Sequence, residues 1–261
     1  MNRGLGIEFA SLSDIGRQRE RNEDSFAYWE PDSEDGLERR GRLAVIADGM
    51  GGYDGGQEAS RIAVQTICET YADTALLDHQ VALVSSVRAA HERIQEYAIQ
   101  HPALFGMGTT CTALSVVHSQ LHYAHVGDSR LYLIRHGSIS QLTRDHSYVA
   151  RLVMSGVIRP EEAELHPQRH ILTAALGIGE QPLIDTPEAP VGLEPDDVLV
   201  LCTDGLWGIV SNDELRKFAD SGSPSEACRQ LVQLANQRGG PDNITVQVLR
   251  FSGNGAGHLA G

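Results

Sequence analysis

Cysteine is scarce and unpatterned in this 261-residue chain. Its four thiols, Cys68, Cys111, Cys202 and Cys228, form no C-x-x-C pair. Cys111 and Cys202 fall inside apolar runs that read as strands, and Cys68 and Cys228 inside runs that read as helices. That placement speaks against a zinc site or a disulfide framework and for buried thiols in a reducing compartment. Positive charge is also short: 21 Lys and Arg against 35 Asp and Glu leave a net charge of −14. Nucleic acid and anionic membranes are themselves polyanions, so neither is expected as a partner. No run approaches the roughly 18 apolar residues of a membrane span, and residues 1–10 carry no apolar secretion-signal core. The cytoplasm is the expected location. Apolar residues are nonetheless 41% of the chain, enough to build a core and to exclude disorder throughout.

Acidic turns are what the chain does have. Five short segments set a carboxylate beside a turn-forming residue: Asn22-Glu23-Asp24, Asp48-Gly49-Met50-Gly51-Gly52, Gly127-Asp128-Ser129-Arg130, Thr203-Asp204-Gly205 and Pro241-Asp242-Asn243. Those at Asp48, Asp128 and Asp204 follow apolar runs that read as strands. Carboxylates gathered at strand ends repel one another unless cations sit among them, and hard divalent cations prefer oxygen ligands. A two-metal hydrolytic site accounts for such a collection, with the ions about 3.5–4 Å apart. Plainer roles stand beside each motif. Asp-Gly is a common strand-end turn, and Asp242 with Asn243 can form a local side-chain turn. Asp128 can pair with Arg130, Glu23-Asp24 can be a solvated turn, and Arg17, Arg19 and Arg21 can be surface charge.

Strands are expected over 7–13, 25–29, 43–47, 109–117, 120–126, 130–135, 138–142, 198–202 and 244–251. Helices are expected over 57–72, 79–100, 147–155, 212–219 and 225–238, the last capped by Ser225. Residues 31–42 read as an exposed loop. The segments 109–142 read as one meander with tight turns at His118-Ser119 and His136-Gly137. Strands in meanders and helices in pairs imply antiparallel sheets packed together with helices outside, an α+β architecture. No long linker or internal repeat interrupts the chain. One domain over 1–251 is expected, with a flap at about 147–174 and a flexible glycine-rich tail at 252–261.

Seven ordered segments together resemble the metal-dependent protein phosphatases, the type 2C serine/threonine phosphatases in their bacterial form. They are Ser13-Asp14-Ile15-Gly16 leading to Arg19 and Asn22-Glu23-Asp24; Ala47-Asp48-Gly49-Met50-Gly51-Gly52; Gly108-Thr109-Thr110; His125-Val126-Gly127-Asp128-Ser129-Arg130; Leu172-Thr173 with Ala175-Leu176-Gly177; Thr203-Asp204-Gly205-Leu206-Trp207; and Gly240-Pro241-Asp242-Asn243-Ile244-Thr245. The match runs from about Ser13 to about Val248. The resemblance implies a four-layer α-β-β-α sandwich of two antiparallel sheets flanked by helix pairs, with a metal cleft at one edge. It implies that Asp48 bridges two Mn²⁺ or Mg²⁺ ions and that the Gly49 carbonyl ligates one. Asp204 and Asp242 then hold the other, and Glu23 supports the site directly or through water. Asp128 matches the acid that shares a weaker third ion with Asp204. Arg19 matches the arginine that binds the substrate phosphate, and Asp24 is expected mainly to orient it.

The activity so implied is that of a phosphatase for phosphoserine and phosphothreonine in proteins, opposing a serine/threonine kinase and expected to act as a monomer. Arg19 and Asp48 are its catalytic residues, and a hydroxide bridging the metals attacks phosphorus in line with no phosphoenzyme. A cysteine-based phosphatase is rejected, because the strand thiols are not in a phosphate-cradling loop. A non-catalytic phosphoprotein-binding module and a hydrolase of small phosphate esters are the alternatives. The chain departs from the family at Tyr53 and Met50, where other members carry histidine, and at Ala174, where many carry arginine. The leaving-group acid therefore stays open among a water, Tyr53 and the flap histidines His166 and His170.

Overall fold

The computed structural model describes residues 5–51 and 54–253. Gly52, Tyr53 and the expected tail from residue 254 onward lie outside the described residues. Strands β1 (Gly6–Asp14) and β2 (Asp24–Trp29) come first, then helix α1 (Glu34–Arg40), β3 (Arg42–Met50), α2 (Gly55–Asp73) and α3 (His79–Gln100). The middle runs β4 (Gly108–Thr109), β5 (Cys111–Val117), β6 (Gln120–Val126), β7 (Arg130–Arg135) and β8 (Ser138–Gln141). Then come α4 (Tyr148–Met154), α5 (Pro160–Glu164), β9 (Val191–Gly192), β10 (Val198–Cys202), α6 (Asp204–Trp207), α7 (Asn212–Asp220), α8 (Pro224–Gln237) and β11 (Ile244–Ser252).

One sheet has the order β1-β11-β10-β7-β8; the other has β2-β3-β5-β6-β9, with β4 on the end of β3. Every pairing is antiparallel. Strand alternation sorts the core into three layers. Leu43, Val45 and Ala47 of β3 face α2 and α3, whereas Ala44 and Ile46 point into the layer between the sheets. Val198, Val200 and Cys202 of β10 face α7 and α8, whereas Leu199 and Leu201 point inward. Two-sided burial explains why these strands read as continuous apolar runs. The expected α-β-β-α sandwich is the observed one.

Several local expectations are corrected. Residues 109–142 do not form one meander. β6 pairs with β5 and β9, while β7 pairs with β10 and β8, so the chain changes sheets at Gly127-Asp128-Ser129. Gly127 makes the change possible: its φ is +104°, and a Cβ there would lie 2.6 Å from Thr110 Cβ. Residues 31–42 contain α1, capped by the Ser33 side chain, with acids in its first turn and arginines in its last. That helix buries nothing, so no apolar period marks it. α8 is capped by Ser223 rather than Ser225, with Pro224 at its first position. The short α5, α6 and β9 are additions to the expected elements.

His125 lies wholly buried on β6, next to the change of sheet. Its Nε2 donates to the Arg144 carbonyl at 3.0 Å, and its Nδ1 is 2.9 Å from the Thr112 hydroxyl. Burial, with the nearby His146 adding to it, pushes the imidazole down to about 4. The unfolded chain therefore takes this proton first. The stability that neutral His125 contributes is full above about pH 6.5 and is lost as pH falls toward about 4. A His125→Gln variant should lose less stability than the parent between pH 7 and 5, by about 2 kcal/mol. Urea unfolding across that range checks this, and equal losses would mean that the buried ring does not titrate there.

Candidate functional site

Both sheets deliver acids to one cleft. β2 and β3 bring Asp24 opposite Asp48. The Asp48 main chain is pinned by Thr109 and Thr110: its N–H donates to Thr110 Oγ1 at 2.9 Å. Its carbonyl accepts from Thr110 N and from Thr109 Oγ1, each at 2.8 Å. Gly49 N–H donates to the Glu23 carbonyl at 3.1 Å. A Cβ on Gly49 would lie 2.0 Å from the Gly56 carbonyl oxygen, so only glycine fits between the Glu23 turn and the start of α2. From the other sheet, Asp204 opens α6 directly after β10, and Asp242 precedes β11. Their loops pack closely, since a Cβ on Gly205 would meet the Asn243 carbonyl oxygen at 1.9 Å. Asp128 sits on the change of sheet and is buried.

Two partners differ from those the sequence suggests. Arg130 does not pair with Asp128. It makes a bidentate pair with Asp145 at 3.0 and 2.7 Å, donates to Tyr132 Oη at 3.0 Å, and lies 3.6 Å over the Trp207 ring. Asp24 does not orient Arg19. Asp24 is buried and accepts from the hydroxyls of Thr203, at the end of β10, and Thr245, on β11 of the opposite sheet, at 2.9 and 2.6 Å. Arg19 instead donates to Asp242 Oδ2 at 2.7 Å, with its side chain half exposed at the rim. Asp242 Oδ1 accepts from Asn243 N at 2.9 Å, a bond to the next residue rather than the side-chain turn open to this pair, which spans two residues. Glu23, Arg19 and Arg21 line one shallow hollow with Glu20 and Asp54.

Trp207 carries a role that the sequence leaves unread. Its Nε1 donates to the Asp128 carbonyl at 2.9 Å, so α6 holds Asp204 at one end and the Asp128 main chain at the other. Thr110, Thr203, Thr245 and Ser129 are equally silent in the sequence. The three threonines hold Asp48 and Asp24 through neutral hydroxyls, Ser129 braces the Thr110 hydroxyl at 2.7 Å, and their one sequence signal is that each directly adjoins an acidic or strand-end motif. The flap reaches this region: His170, one of the two flap histidines open as acids, is close enough for its charge to favour the Asp204 carboxylate. Ala174 packs against the core under α2 and α3.

The electrostatics are those of an uncompensated cluster. Burial pushes Asp48 well above the usual carboxylate range, and Asp24, Asp204, Asp128 and Asp242 push it further. Burial raises Asp128, with Asp204 and Asp145 adding to it. Asp204 is raised by burial and then by Asp242, and Glu23 by burial, against the pull of Arg19. Asp48 and Asp204 retain some solvent access at the cleft floor although protein packs around them. Oδ1 of Asp24 and Oδ1 of Asp204 are buried with no hydrogen-bond partner among the described residues.

Among the described residues no three His, Cys, Asp or Glu side chains are already arranged as a closed ligand shell. That does not weigh against a hard cation here, because Mg²⁺ is held by one or two carboxylates and keeps several waters. An all-oxygen donor set, orphaned carboxylate oxygens and mutual repulsion fit divalent ions shared between acids.

The protein phosphatase 2C family matches residues 16–239 of the chain. Protein phosphatase PhpP of Streptococcus pneumoniae is 38% identical over 255 residues, spanning 94% of this chain and 98% of its own. The serine/threonine phosphatase of S. agalactiae superposes with a TM-score of 0.85 at 34% identity, over 94% of this chain and 99% of its own. The catalytic domain of PstP, solved with two manganese ions, superposes with a TM-score of 0.81 at 33% identity, over 95% of this chain and all of its own.

Repulsion in the cleft makes a prediction about stability. Without metal, Asp48→Asn should melt higher than the parent, because one of several crowded carboxylates is gone. The parent should gain about 2.7 kcal/mol from Mn²⁺ at a hundred times its dissociation constant, and Asp48→Asn should gain far less. Thermal melts with and without Mn²⁺ check both, and an equal gain in the two proteins would remove Asp48 from the metal site.

Proposed function

The chain belongs to the protein phosphatase 2C family and is a protein serine/threonine phosphatase, and we propose that its acidic cleft hydrolyses phosphoserine and phosphothreonine with Mn²⁺ or Mg²⁺ as resident cofactor. The observation that carries this is the convergence of Asp48, Asp128, Asp204 and Asp242 from distant segments, each raised or flanked by the others' charge. Asp48 would bridge two ions, with the Gly49 carbonyl on one side and Asp204 and Asp242 on the other. Glu23 would support the site, and Asp128 with Asp204 would hold a weaker third ion. When bound, the ions neutralise the cluster and lower the pKa of water at the site.

The chain's own residues do the rest. Arg19 gives one N–H to Asp242, and its other N–H groups remain for a phosphate dianion at the rim. Because that phosphate would share the arginine with Asp242, the dianion is drawn over the acids rather than beside them. Thr109 and Thr110 fix the Asp48 main chain, which would limit how far its carboxylate could follow an ion out of the cleft. Residues 147–174 are proposed as a flap that recognises the phosphoprotein, with His170 on the side nearest Asp204. Residues 1–251 are proposed as one catalytic domain. The opposing enzyme is a serine/threonine kinase, and the protein acts as a monomer. Four free thiols support a reducing compartment, the cytoplasm; among the described residues no helix is long and apolar enough to cross a membrane.

Turnover of a phosphothreonine peptide should require added Mn²⁺ or Mg²⁺ and vanish in excess chelator. Full activity in chelator would overturn the metal assignment. Arg19→Ala should mainly raise KM for the peptide, with a loss of about 1.5–3 kcal/mol in kcat/KM. An unchanged KM would return Arg19 to the role of a counter-ion for Asp242.

A further inference from the structure

His146 stands between the flap and the change of sheet that carries Asp128. Its main-chain N–H donates to the Gly127 carbonyl at 2.6 Å, and its ring Nδ1 accepts from Gly127 N–H at 3.2 Å. One residue thus holds both main-chain polar groups of Gly127, as a paired strand would. On its other side the His146 carbonyl accepts from Thr173 N–H at 2.7 Å, where the flap returns to the body. The flap also departs here: Ser147 caps α4 and bridges to Leu172. Both ends of the flap are therefore anchored within one residue of His146.

The ring is specified as well as placed. An acceptor at Nδ1 leaves the proton on Nε2, which stands 3.2 Å from Asp185 Oδ2 without a well-directed hydrogen bond. Asp185 is in turn bound through its main chain to His125, in both directions at 2.9 Å. His146 is only 6% exposed, so its ring contact with Gly127 is made inside the protein. Gly127 has no slack, because it is packed against Thr110, whose hydroxyl takes the Asp48 N–H.

We propose that His146 is a positioning residue that ties the flap to the Asp128 turn, so that flap rearrangement on a phosphoprotein is transmitted through Thr173, His146 and Gly127 to the acids of the cleft. This rests on the reading of Asp128 as a metal ligand, but the clasp itself can be tested without metal. Three substitutions separate the acceptor from the bulk of the ring. His146→Asn keeps an acceptor near the Nδ1 position, His146→Gln displaces it by one methylene, and His146→Leu removes it.

Amide hydrogen exchange on the metal-free protein reads the clasp directly. The Gly127 amide should exchange at least tenfold faster in His146→Leu and His146→Gln, and near the parent rate in His146→Asn, with β10 and β11 unchanged in all of them. In the Mn²⁺ enzyme, kcat on a small aryl phosphate should fall about tenfold in His146→Leu with KM within twofold, and His146→Asn should recover most of it. If His146→Leu does not fold, the contrast between Asn and Gln decides. Unchanged Gly127 exchange, or exchange that rises throughout both sheets, would overturn the clasp. Local loss of Gly127 protection with kcat unaltered would keep the clasp, reject its transmission to catalysis, and so overturn the proposal while leaving the metal-dependent phosphatase assignment intact.

Discussion

Like charges held close together at the seam of two sheets are the constraint on which the rest of this structure depends. A carboxylate prefers water, and burial among other carboxylates is costly without a compensating cation. Asp48, Asp128 and Asp204 accept that cost because strands from separate layers end at the same edge. The large apolar layers supply the stability to hold them there. Leu199 and Leu201 of β10 pack against Ala44 and Ile46 of β3, so the sheet that carries Asp204 cannot drift from the sheet that carries Asp48 without opening the central core.

The acids are aimed by neutral groups, and that choice has a physical reason. A cation placed permanently among them would neutralise the cluster and leave nothing for a metal to do. Hydroxyls and main-chain amides fix position and leave the charge uncompensated. Thr110 serves Asp48, Thr203 and Thr245 serve Asp24, and the Trp207 indole serves the Asp128 carbonyl. Among the described residues the arginine in direct contact with one of these acids is Arg19, which touches Asp242 at the exposed rim. Arg130, equally near in sequence to Asp128, is drawn off by Asp145 and Tyr132 and stacked on Trp207. It braces the turn through these contacts, and its charge reaches Asp128 only from a distance, where it partly offsets the rise that burial causes.

Much of this is legible in the chain. An apolar run ending in Asp-Gly names both a buried strand and what its end presents, which is why Asp48 and Asp204 can be read directly. Partnerships are not legible, since they depend on which sheet a strand joins. Two β runs three residues apart look like a hairpin, yet β6 and β7 part company at Gly127. Once they do, Arg130 faces the core of the other sheet and the expected ion pair with Asp128 cannot form. Asp24 misleads for a related reason. Its partners Thr203 and Thr245 lie 179 and 221 residues away, and no local pattern points to them.

Those long-range bonds also keep the two halves of the site in register. Asp24 is on β2 of one sheet, Thr245 is on β11 of the other, and Thr203 follows β10 of that same sheet and bonds Thr245 through its main chain. Its carboxylate therefore works as a clasp across the seam, immediately behind the Asp48 position. Asp24 is itself raised to about 7 by burial, with the threonine hydroxyls pulling the other way and Asp204 adding to the rise. A carboxylate clasp set among these acids feels the charge of the cleft. Cations that lower the negative potential favour the ionised carboxylate, which is the stronger acceptor for both threonines. The two threonine hydroxyls and the carboxylate they share thus hold the sheets together at the edge where the acids gather.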